Sequence, residues 1–132
     1  MTSHHKIKFP KISEPRGNLT FLQFPQQIPF ELKRVFWTYN IPGGETRGGH
    51  AYQSQEEVII ALSGSFDVVI SDEKGNRETI HLNRGYEGLY LPPKTWRHLE
   101  NFSTNAVSLH LSSSLYKSDD YIRDFDEYKT LK

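Results

Sequence analysis

Two residues near the middle of the chain have the types and the spacing for proton transfer. In GETRGGHAYQSQEEVIIALSG, which runs from Gly44 to Gly64, His50 and Tyr52 are separated by a single residue. Side chains alternate between the faces of a β-strand, so residues two apart share a face and both rings can reach one cavity. A neutral imidazole, with an ordinary pKa of about 6.5, is a credible general base at neutral pH. A phenol, at about 10, is better suited to donate a hydrogen bond to a developing oxyanion than to abstract a proton. Together they have the makings of an acid/base pair. The plainer alternatives are a hydrogen-bonded structural histidine and a space-filling tyrosine. Thiol chemistry does not compete, because the chain has no cysteine, which excludes disulfides, thiolate metal sites and a cysteine nucleophile.

The elements that would hold such a pair read as strands. Short β-rich runs recur at intervals near ten residues, the rhythm of a sandwich or barrel. The predicted strands are Leu19–Gln23, Lys33–Ile41, Gly49–Tyr52, Glu57–Ser63, Ser65–Ser71, Glu78–Leu82, Glu87–Leu91 and Ala106–Ser112. Between them lie Pro42-Gly43-Gly44, Ser63-Gly64-Ser65, Asp72 to Asn76, Asn83-Arg84-Gly85 and Pro92-Pro93, all rich in turn formers. In KRVFWTYNI the period of two puts Val35, Trp37, Tyr39 and Ile41 on one face. Only Ser118 to Leu131 reads as helical: Ser118 can cap it, Asp119 and Asp120 suit a helix start, and Tyr121, Ile122, Phe125 and Tyr128 recur at roughly helical spacing.

At 132 residues the chain has one domain's worth of material. Sixteen basic and sixteen acidic residues cancel, so no broad charge points to nucleic acid or an anionic membrane. Aromatics make up 13% of residues, so rings must supply much of the core. The start, MTSHHKIKFP, lacks the apolar stretch of a secretory leader, and Val58 to Leu62 is too short to span a bilayer. The expectation is a soluble, cytoplasmic protein. His4 and His5 read as terminal residues rather than a metal site.

The spacing Gly44, His50-Ala51-Tyr52, Glu57, Gly64 resembles the first cupin motif, and Gly85 to Arg97, ending at Asn101, resembles the second. More narrowly, the chain from about Ile12 to Leu131 resembles the small cupins that act as nucleotide-sugar 3,4-ketoisomerases. The matching stretches are Pro15-Arg16-Gly17-Asn18-Leu19, Arg34-Val35-Phe36-Trp37-Thr38-Tyr39, Arg47-Gly48-Gly49-His50-Ala51, Leu62-Ser63-Gly64-Ser65-Phe66, Gly88-Leu89-Tyr90, Thr95-Trp96-Arg97 and Asp120 to Glu127. The resemblance implies an all-β cupin jelly roll, or double-stranded β-helix, with a short C-terminal helical tail over 118–131. It implies conversion of a dTDP-4-keto-6-deoxyhexose to its 3-keto isomer through an enediolate, with no cofactor. It also implies a homodimer that exchanges N-terminal strands, residues 1–11 being the flexible or exchanging segment.

The family has His-Ala-His where this chain has His50-Ala51-Tyr52, so the second proton carrier has changed. His50 remains the candidate base, and Tyr52 stands between donor and filler. Glu57, by its motif position, is an inward carboxylate that orients His50 or an arginine. Arg47 and Arg97 fall at family positions that suit the pyrophosphate of a nucleotide sugar. Arg16, Tyr39 and Tyr90 complete the expected substrate-binding set. Where metal-binding cupins supply further histidines this chain has Tyr52 and Arg97, so no metal is expected. Trp37 and Trp96 read as packing, His81 and His110 as structural. A sugar-nucleotide epimerase of related fold, a non-catalytic binding cupin and a metal-dependent cupin are the competing readings.

Overall fold

Twelve strands, one 3₁₀ turn and one short helix account for the regular structure of this computed structural model, which describes residues 3–131. The strands are β1 (His5–Lys8), β2 (Lys11–Glu14), β3 (Gly17–Thr20), β4 (Arg34–Thr38), β5 (Arg47–Tyr52), β6 (Glu57–Ser63), β7 (Phe66–Ser71), β8 (Arg77–Leu82), β9 (Glu87–Leu91), β10 (Trp96–Glu100), β11 (Val107–Ser112) and β12 (Tyr121–Ile122); helix α1 is Phe125–Lys129. Two five-stranded antiparallel sheets form, in the orders β1-β9-β6-β11-β4 and β12-β5-β10-β7-β8, and β2 with β3 makes a separate hairpin. This is the expected all-β jelly roll. Its sheet edges lie at β1 and β4 in the first sheet and at β12 and β8 in the second.

Three apolar clusters hold these layers. The largest lies between the sheets and joins Ile59 and Ala61 of β6, Phe66, Val68 and Ile70 of β7, Leu82, Leu89, Leu91 and Leu99. The second covers the outer face of the first sheet, where Val58, Ile60, Tyr90 and Leu111 meet Phe9, Ile28 and Phe30. Since Val58 and Ile60 alternate with Ile59 and Ala61, β6 is apolar on both faces, as a strand covered from two sides must be. The third places Ile122, Phe125, Tyr128 and Leu131 against Ala51 and Trp96 on the outside of the second sheet.

The C-terminal region corrects the expectation of a helix over 118–131. Ser118–Asp120 makes a 3₁₀ turn, Tyr121–Ile122 becomes β12, and only Phe125–Lys129 is α-helical. The reason is local. The Asp120 carboxylate accepts hydrogen bonds from the Ser54 N–H at 3.0 Å, the Ser54 hydroxyl at 2.7 Å and the Gln55 N–H at 3.2 Å. These bonds clasp the tail to the β5–β6 connection, so Tyr121 pairs with Tyr52 and Ile122 with Ala51. Strands β1, β2, β10 and β12 come in addition to the predicted ones. The two in the second sheet, β10 and β12, flank β5, the strand that carries His50.

Candidate active site

At one end of the space between the sheets the lining turns from hydrocarbon to polar. A cavity of about 300 Å³ opens there, lined by Phe36, Thr38, Arg47, Gly48, His50, Tyr52, Glu57, Arg97, Leu99, His110, Tyr121 and Arg123. Strand alternation selects these residues: Phe36 and Thr38 from β4, His50 and Tyr52 from β5, Arg97 and Leu99 from β10. Arg47 is an odd number of residues from His50 and would point outward on a regular strand. The pairing of β5 with β10 slips by one residue between Arg97↔His50 and Leu99↔Arg47, and Gly48 sits at φ +73°. A bulge with a left-handed glycine therefore turns Arg47 back toward the cavity mouth.

Deepest in the cavity lies a charged cluster. Glu57 is fully buried; its Oε1 accepts from the Arg97 guanidinium and its Oε2 from His110 Nδ1 at 3.0 Å. Arg97 is only 2% exposed. Burial alone would raise the Glu57 pKa, but the adjoining guanidinium and imidazole outweigh it and bring the carboxyl down to about 2. The cluster is an ionised, internally satisfied unit. Removing one member would leave an uncompensated charge in the interior.

Above it the aromatic groups pack on one another. The Arg97 guanidinium lies 4.7 Å from the centroid of the Tyr52 ring, whose other neighbours are His50 at 4.8 Å and Tyr121 at 4.7 Å between centroids. The Tyr52 hydroxyl donates to the Tyr121 oxygen at 3.3 Å. Burial and the nearby Glu57 charge push the Tyr52 pKa far above the ordinary phenol value, so it remains protonated and acts as a donor. His50 is moved the other way. Burial first, and then the positive charge of Arg97, lower it to about 3, which keeps the imidazole neutral at physiological pH. Its Nε2 is buried and has no hydrogen-bond partner among the described residues. A neutral, unengaged imidazole beside a protonated phenol is an acid/base pair in its working protonation state.

The family described as FdtA: WxcM-like, C-terminal, matches residues 2–132. The chain belongs to this family. A TDP-4-oxo-6-deoxy-alpha-D-glucose-3,4-oxoisomerase from Aneurinibacillus thermoaerophilus is 37% identical over 123 residues, covering 93% of this chain and 88% of that protein. A 3,4-ketoisomerase from Helicobacter canadensis superposes with a TM-score of 0.92 at 35% identity, covering 98% of this chain and 96% of that one. The sugar 3,4-ketoisomerase of Thermoanaerobacterium thermosaccharolyticum, solved in complex with TDP, gives a TM-score of 0.93 at 34% identity, with 96% and 92% covered. The fold itself extends further, to a 4-keto-6-deoxy sugar epimerase from Streptomyces spheroides at 18% identity and a TM-score of 0.76, with 90% of this chain and 67% of that one covered.

Within this WxcM-like chain, the cavity gathers five of the expected site residues: His50, Tyr52, Glu57, Arg47 and Arg97. Arg97 is committed to Glu57 rather than free to grip a pyrophosphate. The exposed guanidiniums at the mouth are Arg47 and Arg123, the latter 4.1 Å from the Tyr121 ring centroid. Three expected residues lie elsewhere. Tyr39 follows the outward parity of Val35 and Trp37 and is 60% exposed, since the inward positions on β4 are Arg34, Phe36 and Thr38. Tyr90 has the parity opposite to the core residues Leu89 and Leu91, so it packs on the outer face of the first sheet and donates to Glu56 at 2.6 Å. Arg16 stands in the turn of the β2–β3 hairpin with its side chain 87% exposed, paired with Glu14.

Three further corrections concern residues outside the expected set. His110, read as structural, lines the cavity and holds Glu57. Trp37, read as packing, is 57% exposed. Tyr121 and Arg123 were concealed by the helical reading of the tail, although the stretch Asp120 to Glu127 carries part of the family resemblance. Trp96 does pack, against Phe125 and Tyr128.

Proposed function

We propose that this protein is a sugar-nucleotide 3,4-ketoisomerase that converts a dTDP-4-keto-6-deoxyhexose to its 3-keto isomer, within deoxyamino-sugar or surface-polysaccharide synthesis. The observation that carries the reading is His50, a neutral imidazole with an unengaged buried nitrogen, set beside the protonated Tyr52 in a cavity whose mouth presents two guanidiniums. His50 takes the C3 proton. Electron density moves to the C4 oxygen, toward which Tyr52 donates a hydrogen bond, and the resulting enediolate is reprotonated at C4. Arg47 and Arg123 suit the diphosphate, whose negative charge opposes the depression of the His50 pKa and so strengthens the base once substrate is bound. The reading uses no metal: Glu57 is engaged by Arg97 and His110, and no group of three or more metal donors occurs among the described residues.

The working form in this reading is a homodimer with exchanged N-terminal strands. Two features support the dimer, while β1 pairs with β9 of its own chain. The outer face at the β4 edge leaves Val35, Trp37, Tyr39 and Leu62 exposed as an apolar patch, the kind of surface that a partner covers. The β2–β3 hairpin, which carries Arg16, projects with Ile12 and Leu19 also exposed. Light scattering on Trp37→Glu, which places a charge in that patch, tests the assembly: a monomer is the expected outcome. A cytoplasmic setting accords with the absence, among the described residues, of any helix long and apolar enough to cross a membrane.

Incubation with dTDP-4-keto-6-deoxyglucose in heavy water, followed by NMR, tests the activity. Deuterium beside the ketone and a 3-keto product are expected. Nucleotide-sugar binding without exchange would instead identify a non-catalytic binding protein, and an inverted 4-keto product an epimerase.

A further inference from the structure

Isomerisation moves two hydrogens. One goes from C3 to C4, and the other must leave the C3 hydroxyl as that oxygen becomes the ketone and arrive on the C4 oxygen. Its route calls for a group that accepts and returns a proton. Tyr52 is poorly suited, being held in its protonated form, and His50 is occupied with the carbon-bound hydrogen.

A second path opens on the same cavity from the opposite sheet. Thr38 Oγ1 lies 2.5 Å from Ser108 Oγ, and Ser108 Oγ lies 2.8 Å from His110 Nε2. His110 Nδ1 lies 3.0 Å from Glu57 Oε2. The imidazole is held flat against Phe36, with ring centroids 4.4 Å apart and an interplanar angle of 4°. Ser108 is completely buried, whereas Thr38 reaches the cavity wall.

Glu57, at one end of this chain, fixes the first hydrogen. Glu57 is ionised beside Arg97 and can only accept, so His110 carries a hydrogen on Nδ1. In the tautomer that the relay uses, Nε2 is the acceptor and the Ser108 hydroxyl donates to it. Ser108 oxygen in turn accepts the hydrogen of Thr38. What Thr38 presents to the cavity is therefore a lone pair, a group ready to accept a hydroxyl hydrogen from the sugar.

We propose that Thr38 is a further catalytic residue and that Ser108 and His110 are the positioning residues of a relay that carries the hydroxyl proton between the two sugar oxygens. The proposal rests on the ketoisomerase reading. As the C3 hydroxyl gives its proton to Thr38 Oγ1, Thr38 passes its own to Ser108, and Ser108 passes its own to His110 Nε2. The imidazolium so formed is balanced by the Glu57 carboxylate. The same three transfers in reverse deliver one proton to the C4 oxygen and restore the resting relay. No electrons leave the sugar, and no co-reactant is needed.

Two rates measured together test this: deuterium entry at C3 in heavy water, which reports the His50 step, and formation of the 3-keto product, which also needs the oxygen-to-oxygen transfer. In Thr38→Val the ratio of exchange to product is expected to rise at least tenfold, as general acid–base groups commonly contribute 10² or more. Thr38→Ser, which restores a hydroxyl, should bring the ratio back. Ser108→Ala should reproduce the valine effect without touching the cavity wall. If exchange and product change in step in Thr38→Val, or do not change, the relay is wrong. A wild-type protein with neither exchange nor product overturns the ketoisomerase reading itself, which the variants alone cannot do.

Discussion

The space between the two sheets has two ends built from the same strands. Along β6 the inward residues are Glu57, Ile59 and Ala61, and along β10 they are Arg97 and Leu99. Within two residues the lining passes from a buried charge to hydrocarbon. The apolar end needs only close packing, whereas at the polar end every buried group must find a partner. Glu57, Arg97, His110, Ser108 and Thr38 satisfy one another; among the described residues His50 Nε2, Arg34 Nε and Gln55 Nε2 are buried without a partner, and of these three residues His50 is the one that lines the cavity. Function sits where that accounting is left open, and the apolar end supplies the rigid frame.

The largest effect expected at the polar end is on chemistry rather than stability. His50→Asn keeps a polar group of similar size but removes the base, so deuterium exchange should fall by about 10² to 10⁴-fold. Circular dichroism should show an intact fold. Substantial exchange in this variant would move the base to another residue.

Glu57→Ala probes the opposite property. It strands the Arg97 guanidinium and the His110 ring in the interior, at an expected cost of about 3 to 5 kcal/mol in urea unfolding. Phe66→Ala, at the apolar end, should cost a similar amount through a cavity. The mechanisms can be told apart: replacing the ion pair with Glu57→Leu and Arg97→Met together should recover part of the lost stability but none of the activity, because the pair serves the site rather than the fold.

At the cavity mouth Arg47→Ala and Arg123→Ala should each raise KM for the nucleotide sugar about ten- to a hundredfold, the equivalent of one or two charge-assisted hydrogen bonds at about 1.5 to 3 kcal/mol. Both side chains are exposed, so melting temperature should barely move. An unchanged KM in both would return the diphosphate to Arg97.

How much of this was legible in the sequence depends on what alternation can say. A period of two in β4 and β11 correctly separates Val35, Trp37 and Tyr39 from Phe36 and Thr38, and Leu109 and Leu111 from Ser108 and His110. It does not say which set faces inward. The usual assignment of apolar residues to the interior fails here, because the interior at this end is a polar cavity and the apolar outer face is partly covered by Ile28 and Phe30. That inversion leaves Tyr39 outside and brings His110 into the cavity. The Ser-Leu-His-Leu-Ser pattern at 108–112 was the available signal, since three polar residues sharing one face are costly to bury unless they partner one another. Arg47 depended on a bulge, and Tyr121 on an aspartate clasp 66 residues distant from Ser54 in sequence. By contrast the strand rhythm and the pairing of His50 with Tyr52 follow from local spacing alone, and the inward Glu57 from its place in the resembled motif.

The smallest expected effect gives the sharpest contrast between the two ends. Ile59→Val removes one methylene from the apolar cluster and should cost about 0.5 to 1.5 kcal/mol. That loss should be the same at pH 8 and pH 5, because no titrating group is involved. The polar end behaves otherwise. The folded-state pKa of His50 lies below its ordinary value of about 6.5, so the unfolded chain binds a proton that the folded one refuses. Its contribution to stability is complete above about 6.5 and drains as pH falls toward about 3. Glu57, also lowered, adds a second loss below its ordinary value, down to about 2. Unfolding free energy should therefore decline on acidification in wild type and in Ile59→Val along parallel curves. In His50→Asn the upper part of that decline, between about pH 6.5 and the onset of carboxylate titration, should flatten. Parallel curves for all three proteins would mean that His50 is not held neutral by the fold, and the polar end would lose its distinguishing property.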